Sequence, residues 1–324
     1  MGIYSNILLQ HTEIQNRISH SKKFLVDVKE AFSTFPSGTS SDVCVFAAGS
    51  LGRFEAGRKS DLDVFIIADK EQKKDPRSLT RLQEIELFSD LIRLNEKLEL
   101  PAFSGDGRFL KVHELEDIIK ATGDSRDDSE NLFTTRLLLL LESQCISNDA
   151  LYERALSKVL DNYFRDGKGR RDFQPLFLLN DILRYWRTLC LNYERDRALA
   201  KPWWKKNLNL KFSRKLMIFS TVLAIVSKQV KTADDFIQLS KNVPLERFAN
   251  ALDVINDPAL EPKFDKLLSD YESFLAAKSY AELDVKDPEK LKELAQKADY
   301  FDSFIFESLH SRMLDQELVK YLAV

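Results

Sequence analysis

The sequence predicts an α+β chain in two parts: an N-terminal domain on a mixed sheet, residues 1–123, and an all-α domain, residues 124–324. Three observations predict it. Two short apolar runs, 43–48 and 64–67, are separated by a glycine-serine turn and an acidic pair, the pattern of strand, turn and strand. A periodic stretch, 79–98, reads as a helix and leads to a short alternating segment, 108–113, that reads as a further strand. Beyond a polar, charged segment from Gly123 to Glu130, every periodic stretch has helical spacing.

Taken in order, Ile14, Ile18, Phe24, Leu25, Val28 and Phe32 recur near helical spacing over 8–33, so an N-terminal helix is expected to cover the sheet. Pro36, Ser37, Gly38, Thr39, Ser40 and Ser41 turn the chain into the first strand, which Gly49 and Ser50 close. The second strand carries Asp61 and Asp63, a charged loop follows over 69–76, and the helix over 79–98 completes a βαβ-like unit. Expected helices after the boundary are 131–145, 149–165, 174–194, 211–228, 232–241, 244–255, 261–276, 287–297 and 299–321. Pro202, Pro244, Pro262 and Pro288 stand near starts or breaks.

The 324 residues suffice for two cores, and a net charge of −3 gives no global attraction to nucleic acid or to anionic membrane. Cys44, Cys145 and Cys190 are widely spaced within apolar patterns, so buried thiols are expected. The longest run of consecutive leucines, from Leu137 to Leu141, is far too short to span a bilayer, and the first residues lack the organisation of a secretory signal. A reducing cytoplasm is the expected compartment.

The informative chemistry lies between Phe46 and Asp69. Successive side chains of a strand face opposite ways, so Asp61 and Asp63 are expected on one face, with Leu62 turned into the core. Two neighbouring carboxylates suit Mg2+, with Mn2+ as the alternative, because such ions take carboxylates together with substrate phosphates. Gly49 lets the backbone approach an anion, and amides at the start of a helix, with the Ser50 hydroxyl, can hydrogen-bond phosphate oxygens. Together they form a place to hold metal-bound triphosphate.

Gly49 and Ser50, about ten intervening residues, then Asp61, Leu62 and Asp63 before an apolar run resemble the signature of the DNA polymerase β-like nucleotidyltransferase superfamily. The extended form, Gly49, Ser50, Gly52, Arg53 and Glu55 followed by Ser60, Asp61 and Asp63, looks most like the branch containing the uridylyltransferases and adenylyltransferases of nitrogen regulation. Two later stretches, 131–143 and 176–187, look like the helices that follow the catalytic domain in that branch. The resemblance implies transfer of a nucleoside monophosphate from a nucleoside triphosphate to an acceptor hydroxyl. It implies Asp61 and Asp63 as metal ligands, Gly49 and Ser50 at the phosphates, and a helical domain that closes over the nucleotide or binds the acceptor. The acceptor expected first is a protein side chain and second an RNA end, with a small molecule also open. Small stand-alone relatives serving as toxins or in defence are a further reading by analogy. A silent nucleotide-binding or interaction module is the alternative from another class.

The superfamily's third carboxylate is expected before the third strand, with Asp106 first and Glu99 second, although neither has the hydrophobic flanks of that motif. Arg53 has two roles open to it, a contact to triphosphate or a pair with Glu55 that fixes the loop. Arg58 and Lys59 read as solvated charges. The one concentrated basic and aromatic stretch runs from Lys201 to Lys215 and includes Trp203, Trp204, Lys205 and Lys206. Lys211 and Lys215 are its best candidates for a phosphate clamp, against an RNA-stacking surface or a plain solvated face. Asn180, Asp181 and Arg184 share a helix edge and need hydrogen-bond partners. Of His11, His20, His113 and His310, only His113 falls near a strand end, and no His/Cys metal spacing is present.

Overall fold

The computed structural model describes residues 2–58, 60–69, 77–103, 107, 110–167, 169–170, 172–198, 203–279 and 288–322. It divides into two units, one of Arg17–Arg165 and one of Met1–Asn16 with Asp166–Val324. The first helices are α1 (Ile3–Gln10) and α2 (Thr12–Ser33), separated at His11 rather than continuous over 8–33, and the division between the units falls within α2.

The sheet-bearing unit continues with β1 (Val43–Ala47), α3 (Gly49–Gly52), β2 (Val64–Ala68), α4 (Arg81–Lys97), β3 (Val112–Glu114), α5 (Leu115–Lys120), α6 (Ser125–Ser129), α7 (Leu132–Leu141), β4 (Gln144–Ser147) and α8 (Asp149–Tyr163). Its four strands lie in the order β3, β2, β1, β4, with β1 antiparallel to both neighbours and β2 parallel to β3. The sheet is therefore mixed, as expected, and β2, α4 and β3 form the expected crossover.

Alternation along β1 sends its side chains to two cores. Val43, Val45 and Ala47 join Val64, Ile66 and Ala68 under Val28 and Phe32 of α2 and Leu87, Leu91 and Leu94 of α4. Cys44 faces the other way with Cys145 and Leu151, and Phe46 stacks on Phe65 at 5.6 Å. The N-terminal start of α4 is fixed by a capping box between Thr80 and Gln83. Below the second face Arg136 of α7 makes a bidentate pair with Asp127, both bonds 2.8 Å, and adds Tyr163 at 2.8 Å and the Ile118 carbonyl at 3.0 Å. Both charged groups are almost fully buried, and this knot ties α5, α6, α7 and α8 together.

Two corrections follow. The division lies at 165/166, not 123/124, because β4 pairs with β1 and cannot be separated from the sheet. The helix expected over 131–145 ends at Leu141, and Gln144, Cys145, Ile146 and Ser147 form β4. The apolar residues Cys145 and Ile146 prolong the leucine run in sequence, and only the open partner edge of β1 decides for a strand.

The helical unit holds α1 with α9 (Leu176–Ala198), α10 (Trp203–Asn209), a π-turn at Leu210–Arg214, α11 (Lys215–Val226), α12 (Ala233–Ser240), α13 (Pro244–Ile255), α14 (Glu261–Ser279), α15 (Pro288–Leu309) and α16 (Gln316–Lys320). The helices expected at 287–297 and 299–321 are thus one helix and a short second one. Its core is aromatic: Phe212 of the π-turn stacks on Phe274 at 4.6 Å and lies 5.4 Å from Phe301, while Phe248, Phe264 and Phe304 form an adjoining group. Tyr4 and Ser5 of α1 bond to the carboxylate of Asp253 on α13. Cys44 and Cys145 are buried and Cys190 is half-buried, all three as free thiols.

Candidate active site

The corner between β1 and α3 is set by one glycine. Gly49 has φ +64°, a left-handed conformation that L side chains adopt at a cost. A Cβ there would lie 2.0 Å from Asp63 Oδ2, so the Asp63 carboxylate rests directly against the Gly49 backbone. The Ala48 N–H donates to the Asp63 carbonyl at 2.9 Å and prolongs the β1–β2 ladder by one step. Asp61 and Asp63 thus stand in the extended approach to β2 rather than inside it. The alternation holds all the same: both acids are exposed and Leu62 between them is buried.

Next along the chain Ser50 is buried, and its hydroxyl has no hydrogen-bond partner among the described residues. A buried hydroxyl without a partner is costly in a finished interior, and it matches a donor kept for a ligand oxygen. Gly52 N–H and Arg53 N–H close the short helix onto the Ala48 and Gly49 carbonyls at 3.1 and 3.2 Å, and Glu55 N–H returns to the Ser50 carbonyl at 2.8 Å. Phe54 is held at φ +55°, a strained position for a bulky residue.

A side chain given no role in the sequence expectations supports this corner. Glu142, just after α7, accepts the Gly49 N–H at 3.3 Å through Oε1 and the Arg53 guanidinium through Oε2. Arg53 Nε also donates to Glu55 at 3.0 Å, and all three side chains are buried. Of the two roles open to Arg53, the geometry shows the loop-fixing pair. The signal for Glu142 was present as an acid directly following five leucines, where a charge has to have a buried partner.

The remaining candidates separate. Asp106 and Lys59 lie outside the described residues. Glu99 is exposed at φ +53° just past α4, and its N–H bonds to the Glu96 carbonyl at 3.0 Å. Among the described residues no three His, Cys, Asp or Glu side chains gather to hold a metal. In the helical unit Lys211 Nζ lies 3.2 Å from Asp299, while Lys215 pairs with Asp302 and sits 5.4 Å over the Trp186 ring. Asp181 is 3.9 Å from Arg184, and Asn180 is exposed.

His113 on β3 is buried, and burial first, then Lys111, lowers its pKa to about 4. Thr135 spends its proton on the Asn131 carbonyl at 2.9 Å, so His113 Nε2 is the donor in the 3.3 Å bond to Thr135, and the bare Nδ1 has no partner among the described residues. Among the described residues no helix is long and apolar enough to cross a membrane.

Residues 24–100 match the family model described as a nucleotidyltransferase domain, a span that contains the glycine corner and both acids and lies wholly inside the sheet-bearing unit. No curated protein matches the chain. With a mixed sheet near its N-terminus and helices after it, the chain carries a nucleotidyltransferase domain of the kind found in the DNA polymerase β-like superfamily.

Proposed function

We propose that the protein transfers a nucleoside monophosphate from a nucleoside triphosphate to an acceptor hydroxyl and releases pyrophosphate. The observation that carries the reading is the Asp63 carboxylate against the left-handed Gly49, beside exposed Asp61 and the unpartnered Ser50 hydroxyl. These residues fit Mg2+, which takes one or two carboxylates and completes its shell with substrate phosphates. When bound, the ion supplies charge neutralisation of the triphosphate and a template for in-line attack.

The chain's own part is orientation. Asp61 and Asp63, both exposed on the approach to β2, offer their carboxylates to the ion, and Ser50 offers its hydroxyl to a phosphate oxygen. The acceptor oxygen bonds to the α-phosphorus as the bond to the bridging oxygen breaks and pyrophosphate leaves. Its proton passes to a carboxylate, for which Asp106 is the first choice and Glu99 the second. A protein side chain is the favoured acceptor over an RNA end, because Lys206, Lys211 and Lys215 of the basic stretch are each already paired with an acid, Asp196, Asp299 and Asp302.

Asp61→Ala and Asp63→Ala test the reading. Each is expected to lose nearly all Mg2+-dependent transfer of label from a radiolabelled nucleoside triphosphate, with the unfolding midpoint held, since both side chains are exposed. Incubation with lysate then shows whether label enters protein or RNA. Full transfer by the double variant would exclude the mechanism.

A further inference from the structure

We propose that Glu142 is the positioning residue of the phosphate corner and divides its donors. It takes the Gly49 amide for itself and leaves the Ser50 amide, the Leu51 amide and the Ser50 hydroxyl to the triphosphate. The inference deepens the nucleotidyl-transfer reading and rests on it.

A glycine corner offers several backbone N–H groups to an anion, and which of them are free decides how the anion sits. Here the Gly49 N–H points 3.3 Å from Glu142 Oε1 and is already spent. Among the described residues the Ser50 and Leu51 N–H groups donate to no protein acceptor, and the Ser50 hydroxyl beside them is equally unpartnered. Gly49 therefore stands between two carboxylates. Its N–H is held by buried Glu142 and its Cα lies against exposed Asp63, so a rotation of this peptide would move the acid and the free amides together.

The same segment grips the other end of α3. The Glu142 carbonyl occupies the space of a Gly52 side chain, 1.8 Å from where a Cβ would be, and Gln144 Nε2 donates to the Gly52 carbonyl at 3.3 Å. A bulge in β4, where Ser147 faces Val45 but Cys145 faces Phe46, sits immediately after it, and the Ser147 hydroxyl satisfies the Val45 N–H at 3.3 Å. Bulges re-aim neighbouring residues in this way. An acid is needed at 142 because its two oxygens meet two donors, Gly49 N–H and the Arg53 guanidinium. Glutamine would keep the volume but turn an amide NH2 toward one of them.

The test is Glu142→Gln with Mg2+–ATP as probe, Glu142→Asp as the charge-retaining variant and Asp127→Ala as a destabilised control whose lost pair lies elsewhere in the unit. Residue-resolved amide exchange in the wild type is expected to show Gly49 slow with or without ATP, and Ser50 and Leu51 slowed by ATP. In Glu142→Gln the Gly49 amide becomes fast, kcat falls at least tenfold more than KM rises, and Glu142→Asp recovers part of the loss. Asp127→Ala, measured below its own midpoint, keeps its kcat. Wild-type binding and kcat in Glu142→Gln, or Gly49 exchanging as fast as Ser50, would overturn the inference and leave the nucleotidyl-transfer reading standing. A wild type that neither binds Mg2+–ATP nor transfers label would overturn both.

Discussion

Gly49→Ala separates the geometry of the corner from its stability. The substitution places a methyl group at φ +64°, which costs about 1–2 kcal/mol in backbone strain alone. It also puts a carbon 2.0 Å from Asp63 Oδ2, whereas ordinary contact begins at 3.4 Å, so the carboxylate has to withdraw by the difference, 1.4 Å. A displacement of about 1 Å in a reacting constellation costs on the order of 100-fold in rate. Transfer of labelled nucleotide is therefore expected to fall about 100-fold or more, while the unfolding midpoint drops by only about 3–8 °C. Gly123→Ala is the matched control: Gly123 also has positive φ, +83°, but a Cβ there meets nothing within 4 Å. It is expected to show the same stability loss and full activity. If Gly49→Ala turns over within a few-fold of the wild type, or Gly123→Ala loses as much, the contact between corner and acid is not what sets the rate.

Three further outcomes follow from the packing. Asp127→Ala leaves the Arg136 guanidinium buried without its bidentate partner and is expected to cost about 3–5 kcal/mol in denaturant unfolding; a loss below 1 kcal/mol would contradict the knot. His113 titrates near 6.5 when unfolded and near 4 when folded, so between these values the unfolded chain binds more protons and stability falls as pH falls, by about 3 kcal/mol in total. His113→Gln is expected to flatten that window in pH-dependent unfolding, and an unchanged slope would refute the assignment. Lys211→Ala removes a partly exposed pair with Asp299 and is expected to cost less than about 1 kcal/mol by thermal unfolding; a larger loss would mean that the pair supports the core.

What the sequence disclosed was local. Gly49, Ser50, Asp61 and Asp63 lie close together along the chain, and their chemistry follows from a strand period and a turn. The helices after residue 149 were legible because their amphipathic periods and prolines are local too. What stayed hidden was pairing at long range. Gln144 to Ser147 reads as the end of a helix, and only its place beside β1 makes it a strand. Glu142 reads as the polar end of an apolar helix, and nothing within ten residues announces that its partners are Gly49 and Arg53. Lys211 and Lys215 looked like a free basic patch because Asp299 and Asp302 are far along the chain.

The sheet-bearing unit therefore ends later along the chain than its local pattern indicates. The family match stops at residue 100 and the expected boundary at 123, yet both exclude α7 and β4. A chain cut at 123 would leave the β1 edge unpaired, an invitation to aggregation, and would leave buried Arg53 without one of its two acids, Glu142, at a cost of about 1–3 kcal/mol. Both defects draw on the roughly 5–15 kcal/mol that keeps an ordinary domain folded. The fragment 1–123 is therefore expected to be insoluble or to unfold without cooperativity, and the fragment 17–165 to give a single cooperative transition by circular dichroism. A folded, soluble 1–123 fragment would show that Glu142 and β4 are accessories, and with them the positioning role argued for the carboxylate at the glycine corner would fall.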